Sequence, residues 1–96
     1  MSKEFTLKQL FSIIDGRLST KMDDVYSILN TFSGESLTTI ALPAICDKVK
    51  QVKPKWYLEA KEDLDDVKSL HGNDFNTLMK VLEMSSTKYK VTEFLN

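Results

Sequence analysis

Residues 5–26, FTLKQLFSIIDGRLSTKMDDVY, run from a strongly signalled helix through a short polar turn into a second helix. Thr6 and Gln9 have the spacing of a capping box, in which each side chain satisfies the other's backbone donor. Phe5 before the cap and Leu10 behind it are placed for the hydrophobic staple that accompanies such a box. Leu7, Leu10, Phe11 and Ile14 recur at helical spacing, with Ile13 broadening the stripe. Gly16 predicts a left-handed stop. A second helix is predicted from Thr20 as N-cap, with Asp23 and Asp24 in its first turn, where the helix dipole favours negative charge. Met22, Val25, Tyr26, Leu29 and Phe32 form its stripe, and Gly34 ends it.

The rest of the chain reads as more short helices. Residues 35–42, ESLTTIAL, are the least helical stretch and favour extended structure. Pro43 suits the first position of a third helix to about Val52, with Ile45, Val49 and Val52 on its buried side. Pro54 separates it from a fourth helix to about Leu70, where Trp56, Ala60, Leu64, Val67 and Leu70 share one face. Gly72 closes that helix, and Asn73 or Asp74 caps a fifth containing Phe75, Leu78, Met79 and Leu82. Beyond Met84 the pattern weakens. Tyr89 and Val91 alternate with Lys88 and Lys90 as a strand would, but helix is the expectation kept for this end.

These elements predict an all-α fold: one helical domain over residues 1–96, a compact bundle of about five short helices. Ninety-six residues bury roughly 65% of the unfolded surface, an adequate core and no more. Phe11, Phe32, Trp56, Phe75 and Phe94 are large for so short a chain. Burying one such side chain is worth roughly 1.5–3 kcal/mol, so homo-oligomerisation is the expected way to complete the core.

Composition narrows the function classes. Thirteen basic and fourteen acidic residues leave a net charge of −1, unlike a dedicated DNA or RNA binder, whose affinity rests on neutralising phosphates. A small anionic ligand needs only a few donors and stays open. Cys46 is the only cysteine, reads as a buried thiol and has no neighbouring base. No apolar run approaches the roughly 20 residues of a membrane span, and the N-terminus lacks an apolar signal region, so a cytoplasmic protein is expected.

No motif of catalysis stands out. With one histidine and no glycine-rich phosphate loop, hydrolase, kinase and dinucleotide signatures are absent. No catalytic residue, metal ligand or cofactor is expected. The carboxylates Glu62, Asp63, Asp65 and Asp66 read as a solvated helix face, because neighbouring helical positions diverge. The lysines from Lys48 to Lys55 beside Trp56 and Tyr57 resemble a single-strand binding pattern, but a solvated face is the better reading. A helix-turn-helix reading of the first turn fails because Asp23 and Asp24 would face phosphates.

The first turn holds the remaining candidates: Arg17, the only arginine, with Ser19, Thr20 and Lys21. Hydroxyls and cations at a helix start suit an anion, with Arg17 or Lys21 giving charge-assisted hydrogen bonds. Phe5 or Phe11 would stack on a base. On spacing alone a purely structural role for these residues, with Asp15 pairing to Arg17, is favoured over the anion site.

The string LF-x-I-x-DGRLST within residues 5–26, followed by LPAI and KPKWY, resembles the anti-CBASS cyclic-nucleotide sponges, the second described anti-CBASS type. The likeness covers roughly residues 5 to 58, with Lys53 where a more polar residue would be expected. It implies a phage protein acting in the infected bacterial cytoplasm. Such a protein sequesters cyclic dinucleotides, and cyclic trinucleotides at a separate site, without cleaving them. It also implies a helical fold assembled as a homohexamer with pockets between protomers. The implied pair of an N-terminal aromatic and a lysine after the first turn falls nearest to Phe5 and Lys21, with Phe11, Arg17, Ser19 and Thr20 as neighbours. The alternative from another class is a small host-takeover adaptor binding a host protein through an apolar helix face.

Overall fold

The ladder that ties the two ends of the chain together is antiparallel: Phe5 stands opposite Tyr89, Glu4 opposite Lys90 and Lys3 opposite Val91. It appears in a computed structural model that describes residues 2–34 and 42–94. Strand β1 (Ser2–Thr6) leads into helix α1 (Leu7–Ile14), followed by α2 (Met22–Ser33) and α3 (Leu42–Val52). Helices α4 (Lys55–His71) and α5 (Phe75–Glu83) precede the closing strand β2 (Lys88–Thr92).

The all-α expectation is therefore corrected. Among the described residues five helices are present, but so is a two-stranded sheet of β1 and β2. The helix expected at the C-terminal end is replaced by β2. Its alternation was genuine: Tyr89 and Val91 are buried while Lys88, Lys90 and Thr92 are exposed. Period-two alternation of this kind is the pattern of a half-buried strand. On the strand facing it, Phe5 is buried too, and Glu4 and Lys90 stand opposite each other on the exposed face. An isolated pair of strands is at best marginal in water; here it is held by packing on α2 and α4.

Local signals placed most helices well. Thr6 N–H donates to Gln9 Oε1 at 2.9 Å and Gln9 N–H to Thr6 Oγ1 at 3.3 Å, so the capping box starts α1 as expected. Asp74 caps α5 through the Thr77 N–H at 3.0 Å. Gly34, at φ 78°, ends α2 in the left-handed conformation. The start of α2 differs from expectation. The cap is Lys21 rather than Thr20, and no side chain bonds to the helix start. Met22 is half exposed, while Ile28, outside the expected stripe, is fully buried. Leu70 is 80% exposed in the last turn of α4. The extended structure expected from residue 35 onward lies outside the described residues up to 41, and Leu42 already opens α3.

One core joins the sheet and all five helices, with Leu10, Phe11, Ile28, Leu29, Val49, Ala60, Leu64, Leu78 and Val91 closed to solvent. Phe32 packs edge-on against Trp56 with ring centres 6.1 Å apart, and Phe11 against Phe75 at 6.0 Å. The aromatic area that suggested an oligomer is thus mostly packed within a single chain. Among the described residues no helix is long and apolar enough to cross a membrane.

Candidate functional site at the first turn

The turn between α1 and α2 is built on Asp15. Its N–H closes α1 by donating to Phe11 O at 2.8 Å. Its carboxylate receives Arg17 Nε at 2.6 Å on one oxygen and Lys68 Nζ at 2.6 Å on the other. The Arg17 hydrogen bond is the largest influence on Asp15. Together with Lys68 it outweighs the opposing effect of burial and lowers the carboxyl pKa to about 2. Gly16, at φ 94°, allows the chain to double back so that Arg17 can reach its neighbour two positions earlier.

Arg17 is held by several partners. Beyond Asp15, its guanidinium donates to Asn73 O at 3.2 Å and Asn73 Oδ1 at 2.8 Å in the α4–α5 connection. Its plane also lies over two rings, 5.5 Å from Phe11 and 5.6 Å from Phe75, a favourable cation–π arrangement. The arginine that the sequence singled out as an anion ligand is a brace between the first turn and the α4–α5 corner.

Ser19 has a similar structural part. Its N–H donates to Ser12 Oγ at 2.9 Å, and its hydroxyl donates to the Lys8 carbonyl, which ties the turn to the flank of α1. Phe5 and Phe11 are 5% and 0% exposed, so neither offers an open face for stacking in the single chain. Of the four polar candidates, two make no side-chain hydrogen bond among the described residues. Lys21 is exposed at the start of α2, and Thr20 Oγ1 is buried without a hydrogen-bond partner. Beside them stand Leu18, 51% exposed, and Met22, 43% exposed.

Sequence reasoning missed Lys68, Asn73 and Ser12 as partners of this turn. Only the pairing of Asp15 with Arg17 had a local signal, because the others arrive from distant elements or from the back of α1.

The other suspected centres resolve into structure. Cys46 is half-buried, and that burial raises its thiol pKa. Glu59, Glu62 and Asp63 line an open cleft of about 370 Å³ between α4 and β2, facing Lys88, Tyr89 and Lys90. Asp63 accepts the Tyr89 hydroxyl there, while Asp65 pairs with Lys61 at 3.5 Å on the exposed side. Among the described residues, no group of histidine, cysteine or carboxylate side chains is arranged to hold a metal ion.

A family model described as a domain of unknown function, DUF7736, matches residues 5–63, more than half of the chain, and includes the whole first turn. No curated protein and no solved structure matches the chain.

Proposed function

We propose that this chain, which belongs to the DUF7736 family, is a non-catalytic binding protein that presents its first turn to a protein partner. One observation carries the reading: the turn is braced from behind by Arg17, Asp15, Lys68 and Asn73, yet displays Leu18 and Met22 to solvent beside Lys21. Apolar side chains held on a fixed backbone bind with little ordering cost, and this is how pre-organised surfaces gain affinity. The partner that fits is a shallow apolar groove with a carboxylate rim for Lys21. This is the adaptor class of function.

A photo-crosslinking amino acid at position 18 or 22, in cells that supply the partner, should give one discrete heteroadduct. The same group at Lys80 should not. Leu18→Asp with Met22→Asp should abolish the adduct while circular dichroism stays unchanged. Equal adducts from positions 18, 22 and 80 would defeat the reading.

A second reading is sequestration of cyclic oligonucleotide second messengers without cleavage, in a homo-oligomer, as the sequence resemblance implies. The start of α2 favours it, since no side chain caps that end, Lys21 is exposed and Thr20 Oγ1 has no partner. Its stacking aromatics would have to come from a partner protomer, because Phe5 and Phe11 are inside the core. A thermal midpoint that rises with a 3′,3′-linked cyclic dinucleotide, with ligand recovered intact and an oligomer in solution, would select this reading over the first.

A further inference from the structure

We infer that the free edge of β2, in the cleft beside α4, takes an extended peptide as an added strand. Among the described residues the sheet has two strands, so β1 covers one edge of β2 and leaves the other bare. That bare edge faces the cleft, which Thr87, Lys88, Tyr89 and Lys90 all line. Successive side chains of a strand point to opposite faces. Four consecutive residues on one wall are therefore a strand met edge-on.

The ladder decides which backbone groups that edge offers. The Thr6 N–H turns away to Gln9 Oε1 at 2.9 Å, so Thr6 and Lys88 stand opposite each other without exchanging bonds. Bonded and unbonded pairs alternate along antiparallel strands. Phe5–Tyr89 and Lys3–Val91 are then the bonded pairs, and Lys88 and Lys90 aim their N–H and C=O groups at the cleft. No other backbone hydrogen bond of the described residues reaches either lysine. Unpaired groups on a strand edge are a template for another strand, and strand addition is a recurring mode of peptide recognition.

The edge is rigid. Tyr89 donates its hydroxyl to Asp63 on α4, and Val91 is closed to solvent, so little ordering remains for a peptide to impose. The charges select the occupant. On the α4 side stand Glu59 and Glu62, exposed and in no ion pair of the described residues. On the outer face stand the Lys88 and Lys90 side chains. An added strand presents alternate residues to these two sides, so its basic residues meet the glutamates and its acidic ones meet the lysines. A second copy of β2 is a poor occupant. Centred on Tyr89 or on Lys90, its antiparallel pairing sets lysine against lysine, and like charges directly opposite are destabilising. This surface is independent of Leu18 and Met22.

Hydrogen exchange tests the edge by itself. The Lys88 and Lys90 amides should exchange at least roughly tenfold faster than those of Tyr89 and Val91, whatever the protein concentration. A blocked octapeptide that alternates arginine with glutamate should bind in calorimetry and slow both lysine amides by about tenfold or more. Its isomer with the arginines and glutamates in separate blocks carries the same net charge and should bind far more weakly. Methylating the peptide's backbone amides at all arginines, or at all glutamates, should abolish binding in one case and spare it in the other, because alternate amides of a strand face opposite edges. Glu59→Lys and Glu62→Lys should each weaken the peptide several-fold, whereas Asp47→Lys on α3 should not. Equal affinity for the two isomers, or the same response to both methylated sets, overturns the site. Protection of the Lys88 and Lys90 amides without peptide overturns it too, and protection that grows with protein concentration assigns the edge to a second copy.

Discussion

Lys68 Nζ donates to Asp15 Oδ1 at 2.6 Å, although the two residues stand 53 positions apart in the chain. With Arg17 on the other oxygen, this contact makes one carboxylate the meeting point of α1, the first turn and α4. Its side chain is only 10% exposed, so the pairs are poorly screened.

Asp15→Asn should cost about 2 kcal/mol at neutral pH, the order expected for a carboxyl lowered from 3.8 to about 2. A carboxyl depressed by folding stabilises the native state well above 3.8, and that contribution is lost as the pH falls toward about 2. Urea melts of the wild type and the variant at pH 6, 4 and 2.5 should converge on acidification. A constant gap would mean that the charge on Asp15 is not what stabilises the turn.

Arg17 and Lys21, neighbours in the sequence pattern, should behave differently. Arg17→Ala removes a multiply bonded brace that also packs on Phe11 and Phe75, and should lower stability clearly more than Lys21→Ala does. Arg17→Lys should recover little, because an ammonium cannot reproduce the planar fork. Lys21→Ala should stay within about 0.5 kcal/mol of the wild type. Chemical denaturation of the three variants checks the ranking.

Gly34 combines two demands. Its φ is 78°, and a Cβ there would run into the Glu93 carboxylate at the C-terminal end of the described chain. Gly16, at φ 94°, has open space around it. Gly34→Ala should therefore cost more than the roughly 1 kcal/mol of backbone strain expected at Gly16→Ala. Adding Glu93→Ala to Gly34→Ala should relieve the steric part only, which a double-mutant cycle in denaturant would measure.

Tyr89→Phe deletes the hydroxyl that Asp63 accepts and should cost about 1 kcal/mol, since Asp63 remains exposed to water. Burial, and then the hydrogen bond to Asp63, raises the phenol pKa. A group raised by folding stabilises the native state below its unfolded value and loses that effect as the pH rises. The wild type should thus lose more stability than Tyr89→Phe above pH 10, as thermal midpoints at pH 8 and 10.5 would show.

The sequence by itself determined the elements whose causes lie within one or two turns. The Thr6–Gln9 box, the Asp74 cap, the Gly34 stop and the stripe of Trp56, Ala60 and Leu64 are local facts, and each was legible. The pairing of Asp15 with Arg17 at the candidate site was legible for the same reason. Tertiary structure decided the rest. Strand β1 exists because residues from the opposite end of the chain complete its ladder, and five residues have no preference strong enough to announce that. Arg17 became a brace because folding brought Lys68 and Asn73 to its side. A charged side chain near a forming core settles on the partners that packing delivers. Spacing along the chain records none of those partners, since their positions depend on how distant helices stack.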